Sequence, residues 1–157
     1  MHMKVLFVCR GNVGRSQMAE AIFNQLAAGR HTAFSCGTKV VDKDGQSQHG
    51  QKLKDLVPAR EVINSLAALG IDATECARDQ ITPEILGQAD EVVVVAEEYT
   101  IPDYLKAAKK VVYWEVEDPK GKDQAGTDEI REIIAGHVRN LIDELDEKKK
   151  SADGRSC

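Results

Sequence analysis

Apolar positions along this chain follow two rhythms. Lys4-Val5-Leu6-Phe7-Val8 and Val92-Val93-Val94-Val95 are short runs without alternation, the pattern of strands covered on both faces of a sheet. His31-Thr32-Ala33-Phe34-Ser35-Cys36, closed by Gly37, and Val111-Val112-Tyr113-Trp114 read as two further strands. Helical spacing takes over between them. The segment opening at Arg15-Ser16-Gln17-Met18-Ala19-Glu20-Ala21-Ile22-Phe23 predicts a helix, as does Pro58 to Leu69, with Val62, Leu66 and Leu69 on one face and Gly70 as its stop. Thr82-Pro83-Glu84 supplies an N-cap, a first-turn proline and an acidic first turn for a short helix ending near Gly87. A short helix is expected over Pro102 to Ala108. From Thr127 onward Ile130, Ile133, Ile134, Leu141 and Leu145 predict a long helix that covers one sheet face. Val41 to Leu56 is polar, weakly periodic and reads as a long loop.

Strands alternating with helices imply an α/β fold, a three-layer arrangement of a four-stranded parallel sheet with helices on both faces. The 157 residues suit one domain, expected over 1–148, with 149–157 as a disordered tail. Net charge is -5, with 30% charged and 42% hydrophobic residues, so any affinity for phosphate must come from a local site rather than the overall field. Nucleic acid and membrane are therefore not expected partners. No apolar stretch approaches the roughly 20 residues a bilayer span needs, and the start lacks a signal-peptide pattern, which makes the cytoplasm the expected compartment. Cys9, Cys36, Cys76 and Cys157 lie far apart and His31, His49 and His137 are scattered, so no metal site and no cofactor are expected.

One stretch changes the picture. Cys9-Arg10-Gly11-Asn12-Val13-Gly14-Arg15-Ser16 joins the end of the first strand to the start of the first helix. A loop curled there turns the backbone N–H groups of Arg10, Gly11, Asn12, Val13, Gly14 and Arg15 inward, and the helix N-terminus adds partial positive charge, so it cradles a tetrahedral oxyanion such as phosphate. The same field favours the thiolate form of Cys9, a nucleophile. Arg15 offers a planar fork that matches two oxygens of a phosphoryl group at once. Gly11 and Gly14 allow close backbone approach, and Asn12 tolerates positive φ.

Strand ends carry the ligand site in parallel α/β sheets, and Glu115-Val116-Glu117-Asp118-Pro119 follows the fourth strand on that same edge. Cleaving an ester by attack of Cys9 leaves an oxyanion that must take a proton. Asp118 is the expected acid, because Pro119 restricts the residue before it to extended conformations. The competing reading of these carboxylates is a solvated acidic turn.

These motifs resemble the low-molecular-weight protein tyrosine phosphatases, a fold shared with the thioredoxin-coupled arsenate reductases. The Cys-x5-Arg-Ser loop, Ser35-Cys36-Gly37-Thr38, Gly70-Ile71-Asp72 and Asp118-Pro119 agree with that family in order and spacing. The resemblance implies a phosphotyrosine protein phosphatase I-like fold, with Cys9 as nucleophile, Arg15 as transition-state clamp, Ser16 as a hydroxyl stabilising the thiolate and Asp118 as general acid. It also implies that Asn12 and Ser35 brace the loop through hydrogen bonds.

Four departures stand out. Gly14 occupies the place of a second cysteine found before the loop arginine in many family members. Arg15-Ser16-Gln17 replaces the usual Arg-Ser-Pro and is closer to the reductases, yet Ala96 to Leu105 lacks their redox cysteine pair. Cys76 aligns with a loop-bracing histidine, as a buried filler or as a thiol that resolves oxidised Cys9. Lys120, Gly121 and Lys122 stand where the phosphatases place an aromatic wall, which weakens phosphotyrosine itself as the substrate.

The expected activity is hydrolysis of phosphomonoesters, on a phosphorylated protein or a small aryl phosphate, through a cysteinyl-phosphate and without metal. Inorganic phosphate and other oxyanions are expected ligands. The alternative is an arsenate reductase using Cys9 and other thiols, with thioredoxin as partner in that case alone. A third reading is an oxyanion-binding protein without turnover.

Overall fold

The computed structural model describes residues 2–155, with side chains described through Lys148. Its sheet is built from β1 (Lys4–Cys9), β2 (Thr32–Gly37), β3 (Glu91–Val94) and β4 (Val111–Tyr113), in the order β2-β1-β3-β4 with every pair parallel. The helices are α1 (Arg15–Ala27), α2 (Arg60–Ala67), α3 (Pro83–Gly87), α4 (Asp103–Lys106) and α5 (Gln124–Arg155).

The unalternating strand runs are explained by burial on both faces. Val5 and Phe7 of β1, with Val93 and Val95, point into a core built with α1, α2 and α5. Leu6 and Val8, with Val92, Val94 and Cys36, point the other way into a smaller core with Ile81, Ile101 and Leu105 of α4. Phe7 ties the larger core together, meeting Phe23 edge-on at 5.8 Å and Trp114 at 5.6 Å between ring centroids. The sheet therefore has helices on both faces, as the strand–helix alternation requires.

Several boundaries shift. A 3-10 turn over Val57–Ala59 precedes α2, so the helix expected from Pro58 starts at Arg60. The Thr82 hydroxyl accepts from Ile85 N, the expected cap. The 41–56 stretch is more ordered than its composition implies: Val41 pairs with Ser47, and Leu53–Asp55 forms a 3-10 turn whose Leu53 is fully buried. In α5 the buried face runs Ile130, Ile134, Val138, Leu141 and Leu145, while Ile133 is 52% exposed because it lies a residue off that stripe. That helix also continues through 149–155, the stretch expected as a disordered tail; the Glu-Lys-rich run before it favours helix. Cys157 lies outside the described residues. Among the described residues no helix is long and apolar enough to cross a membrane.

Topology decides where a ligand goes. The chain leaves β1 to one side for β2 and returns to its other side for β3, so β1 is the point where strand order reverses. The crevice beyond the carboxyl end of such a strand is open to a ligand. Cys9 is the last residue of β1.

Candidate active site

The Cys9–Arg15 loop is held from behind by backbone and side-chain bonds that the neighbouring strand supplies. Thr38 N donates to Cys9 O at 2.9 Å and Lys39 N to Arg10 O at 2.8 Å. Gly37 permits this contact, since a Cβ there would stand 2.6 Å from Arg10 O and 2.9 Å from Asn12 N, both immovable backbone atoms. The motif after the second strand is thus a steric requirement of the loop.

Asn12 is the centre of the brace. It is fully buried with φ of 54°. Its Nδ2 donates to Ser16 Oγ at 2.8 Å and Ser35 Oγ at 3.0 Å. Its Oδ1 accepts from Asp79 N at 2.8 Å and Gln17 Nε2 at 3.2 Å. Both amide hydrogens and both lone pairs are used, which fixes a left-handed residue that a solvated asparagine would hold only weakly. Ser16 Oγ lies 2.9 Å from Cys9 Sγ, inside a pocket where both groups are buried. The hydroxyl that receives a hydrogen from Asn12 is free to give its own to the sulfur, and so stabilises negative charge there.

Gln17 has a job of its own. Its Nε2 also donates to Ala77 O at 3.0 Å, tying the start of α1 to the segment after Gly70. Cys76 is not part of this network: it is half-buried against the larger core. Burial, with Glu20 and Asp72 nearby, raises the Cys76 pKa, and burial raises that of Cys36 as well, with Cys9 and Asp79 adding to it.

Arg15 is 6% exposed, with Nη2 3.1 Å from Glu97 Oε1 and 3.6 Å from Asp118 Oδ2, and with Nη1 donating to Val116 O at 3.3 Å. The carboxyl ends of β1, β3 and β4 therefore meet through one guanidinium. Asp118 is half exposed, and its Oδ1 accepts from Lys120 N at 3.0 Å, which closes the turn after Pro119. Pro119 packs so closely on the loop that a Cβ on Gly14 would be 2.7 Å from its ring. This contact sets the height of the Asp118 turn above the loop. Glu115 and Glu117 are exposed or half-exposed, and Glu117 pairs with Lys122 rather than with the site.

Sequence reasoning missed Glu97 and Arg78. Glu97 follows the carboxyl end of β3, the edge on which a ligand site falls, and that placement was a usable signal. Arg78 is 5% exposed and reaches the loop from 67 residues away, with Nε donating to Gly11 O at 3.1 Å and Nη1 to Gln51 Oε1 at 2.6 Å. No local pattern points to it. Cys9, Gly11, Arg15, Arg78, Asp118 and Lys120 line one cleft of about 780 Å³. Among the described residues no group of three or more His, Cys, Asp or Glu side chains is placed to hold a metal ion.

A strand-ending cysteine that shares one cleft with a buried arginine and an aspartate is an arrangement found in enzymes of phosphate and arsenate. The chain belongs to the low molecular weight phosphotyrosine protein phosphatase family, whose model matches residues 4–151. Among curated relatives, an arsenate reductase of Bacillus cereus (strain 03BB102) is 31% identical, covering 83% of this chain and 90% of the relative. The low molecular weight protein tyrosine phosphatase from T. tengcongensis superposes with a TM-score of 0.72 at 28% identity, covering 90% of this chain and 99% of that one. An arsenate reductase in the phosphate binding state superposes at 0.70 with 27% identity, covering 90% and 98%. Both activities of the fold are therefore represented among the proteins this chain is similar to.

Proposed function

We propose that this protein hydrolyses phosphomonoesters through a phosphocysteine on Cys9. The observation that carries the reading is the convergence of Cys9, Arg15 and Asp118 on one cleft, with Asp118 Oδ2 3.6 Å from the Arg15 fork. The phosphoryl group sits in the loop, where backbone N–H groups and Arg15 hold its equatorial oxygens as charge spreads over them. The Cys9 sulfur attacks phosphorus along the line of the leaving oxygen; the S–P bond forms, the P–O bond breaks, and Asp118 gives its proton to the departing oxygen. Water then attacks the same phosphorus, Asp118 takes its proton, and the S–P bond breaks to release phosphate and return the thiolate. Ser16, 2.9 Å from the sulfur, stabilises that thiolate when it leaves. Hydrolysis of an aryl phosphate in the presence of a chelator, lost in Cys9→Ser, tests this; chelator-sensitive turnover or an active Cys9→Ser protein rejects it.

Arsenate reduction is the second reading, favoured by the relatives named arsenate reductase and by the Arg15-Ser16-Gln17 sequence. It needs further thiols to carry electrons away from Cys9. Cys36 and Cys76, the remaining thiols among the described residues, are both pushed up by burial, which works against the thiolate form that would attack an oxidised Cys9. That argument favours hydrolysis. Aryl phosphatase and thioredoxin-coupled arsenate reductase activities, measured side by side on one preparation, separate the two.

A further inference from the structure

Arg15 and Arg78 are both buried arginines of the same cleft, and they differ in what neutralises them. Arg15 has Glu97 and Asp118. Arg78 has no carboxylate within ion-pair distance among the described residues; it bonds a backbone carbonyl and an amide oxygen, both neutral. Burying a guanidinium without a counter-charge is costly. Burial accordingly lowers its pKa, with the Cys9 sulfur acting in the opposite sense. The side chain is nevertheless held rigidly, by Gly11 O at one edge and Gln51 Oε1 at another, while Nη2 is left without a protein acceptor among the described residues. Nη2 lies over Gly11, 3.7 Å from where a Cβ would stand, and Arg78 lines the cleft.

The anion this group awaits is not the one cradled by the loop. In a planar trans peptide the C=O and N–H point to opposite sides, so on the phosphate-loop reading, in which the Asn12 N–H enters the ring, the Gly11 carbonyl that Arg78 bonds faces away from it. A guanidinium bonded to that carbonyl stands outside the ring. The rest of the cleft agrees with an anionic guest and disagrees with an aryl one. Lys39, Lys43, Lys120 and Lys122 line it with the arginines, so basic groups outnumber the lining carboxylates Asp42, Asp44, Glu61 and Asp118, and among the described residues no lining residue is Phe, Tyr or Trp.

We propose that Arg78 forms a second anion subsite beside the phosphate loop, and that the preferred substrate is a phosphomonoester whose leaving group carries a further carboxylate or phosphate for Arg78 to hold. This rests on the phosphate-loop reading of Cys9–Arg15. The loop takes the group to be transferred, and Arg78 takes a group that stays with the alcohol. Product leaves with that second anion still attached, so the subsite contributes to selection without touching the reacting atoms.

Non-hydrolysable probes test the subsite. Binding to the wild-type protein is measured by calorimetry for alkylphosphonates, for ω-phosphonocarboxylates and for bisphosphonates, each with spacers of about two to five methylenes; a charge-assisted bond to Arg78 predicts about tenfold tighter binding, or more, for a doubly anionic probe at its best spacer. The carboxylate and bisphosphonate arms distinguish the two sources of the second charge. In Arg78→Gln the advantage falls to within about twofold, and it falls equally in Gln51→Glu, where a new carboxylate neutralises Arg78 in place and serves if the first variant does not fold. An advantage absent from wild type at every spacer, or surviving in both variants, overturns the subsite alone when the plain alkylphosphonates still bind. If no probe binds, the phosphate-loop reading falls with it.

Discussion

The two sides of the cleft are built on opposite principles. On one side, Cys9, Asn12, Gly14, Arg15 and Ser16 are buried, and each polar group of Asn12 and Ser16 is committed to a named partner. On the other, Glu115 to Lys122 is largely exposed, with Asp118 fixed by its own turn, by a 3.6 Å approach to Arg15 and by the Pro119 contact on Gly14. The first side must present charge-stabilising donors that do not move when the reaction passes, because preorganisation is where most of the electrostatic stabilisation resides. The second must meet many possible leaving groups and let them go. Rigidity has been spent where the chemistry is common to all substrates.

The largest effect expected on the rigid side is that of Cys9→Ser. Turnover of an aryl phosphate should fall by about four or more orders of magnitude, since no other group in the cleft can form the intermediate. Phosphate should still bind, because the N–H groups and Arg15 remain; calorimetry with orthophosphate reads this directly. A loss of both together would mean that the sulfur organises the loop rather than attacks. On the open side, Asp118→Asn should lower kcat by about 10²- to 10⁴-fold for a poor leaving group. For a leaving group that departs without a proton the loss should be much smaller, and a uniform loss across leaving groups would remove Asp118 from the acid role.

Asn12→Ala breaks the comparison at its centre. The variant leaves Ser16, Ser35, Gln17 and the Asp79 N–H short of a partner in a buried place and puts alanine at positive φ. Thermal or urea unfolding should show a loss of roughly 2–4 kcal/mol. An equally deep truncation on the other side, Lys120→Ala, should leave stability unchanged to within about 0.5 kcal/mol.

The same contrast explains what was legible beforehand. A parallel sheet was readable because the two central strands write themselves as unbroken apolar runs, and because each strand is followed by a helix. The loop was readable because its parts lie within eight consecutive residues, Cys9 to Ser16. Arg78, Gln51 and Glu97 were not. They reach the site through tertiary packing from segments with no periodic signature, and a charged residue in a polar stretch looks the same whether it faces water or a catalytic loop. Ile133 was misplaced for a related reason: helical spacing names a stripe, and only the packed neighbour decides which of two adjacent apolar residues lies on it. Cys76, expected from the resemblance at a loop brace, makes no bond to Asn12, which Gln17 and the Asp79 backbone hold instead.

Gly14→Ala sharpens the link between the two sides. A methyl group there meets the Pro119 ring at 2.7 Å, so the acid turn must lift while the loop keeps its partners. A displacement of several tenths of an ångström in a proton donor predicts a loss of about tenfold in kcat with little change in orthophosphate binding. If phosphate affinity falls instead, it is the loop that yields, and the assignment of rigidity to that side is wrong.

The smallest expected effect concerns Glu97, and its sign is the informative part. Glu97 holds the Arg15 fork at 3.1 Å through Oε1, and its buried Oε2 has no hydrogen-bond partner. A carboxylate in that place orients the guanidinium, but it also competes with the incoming phosphoryl oxygens for the same charge. Glu97→Gln keeps an acceptor for Arg15 and removes the competing charge. Because the side chain is about one-third exposed, solvent screens much of the field. Orthophosphate should therefore inhibit only about threefold more strongly in the variant, with the difference shrinking as salt is raised. Weaker inhibition would show that aiming the fork outweighs the charge it sequesters, and would move Glu97 from a rival of the substrate to a member of the rigid side.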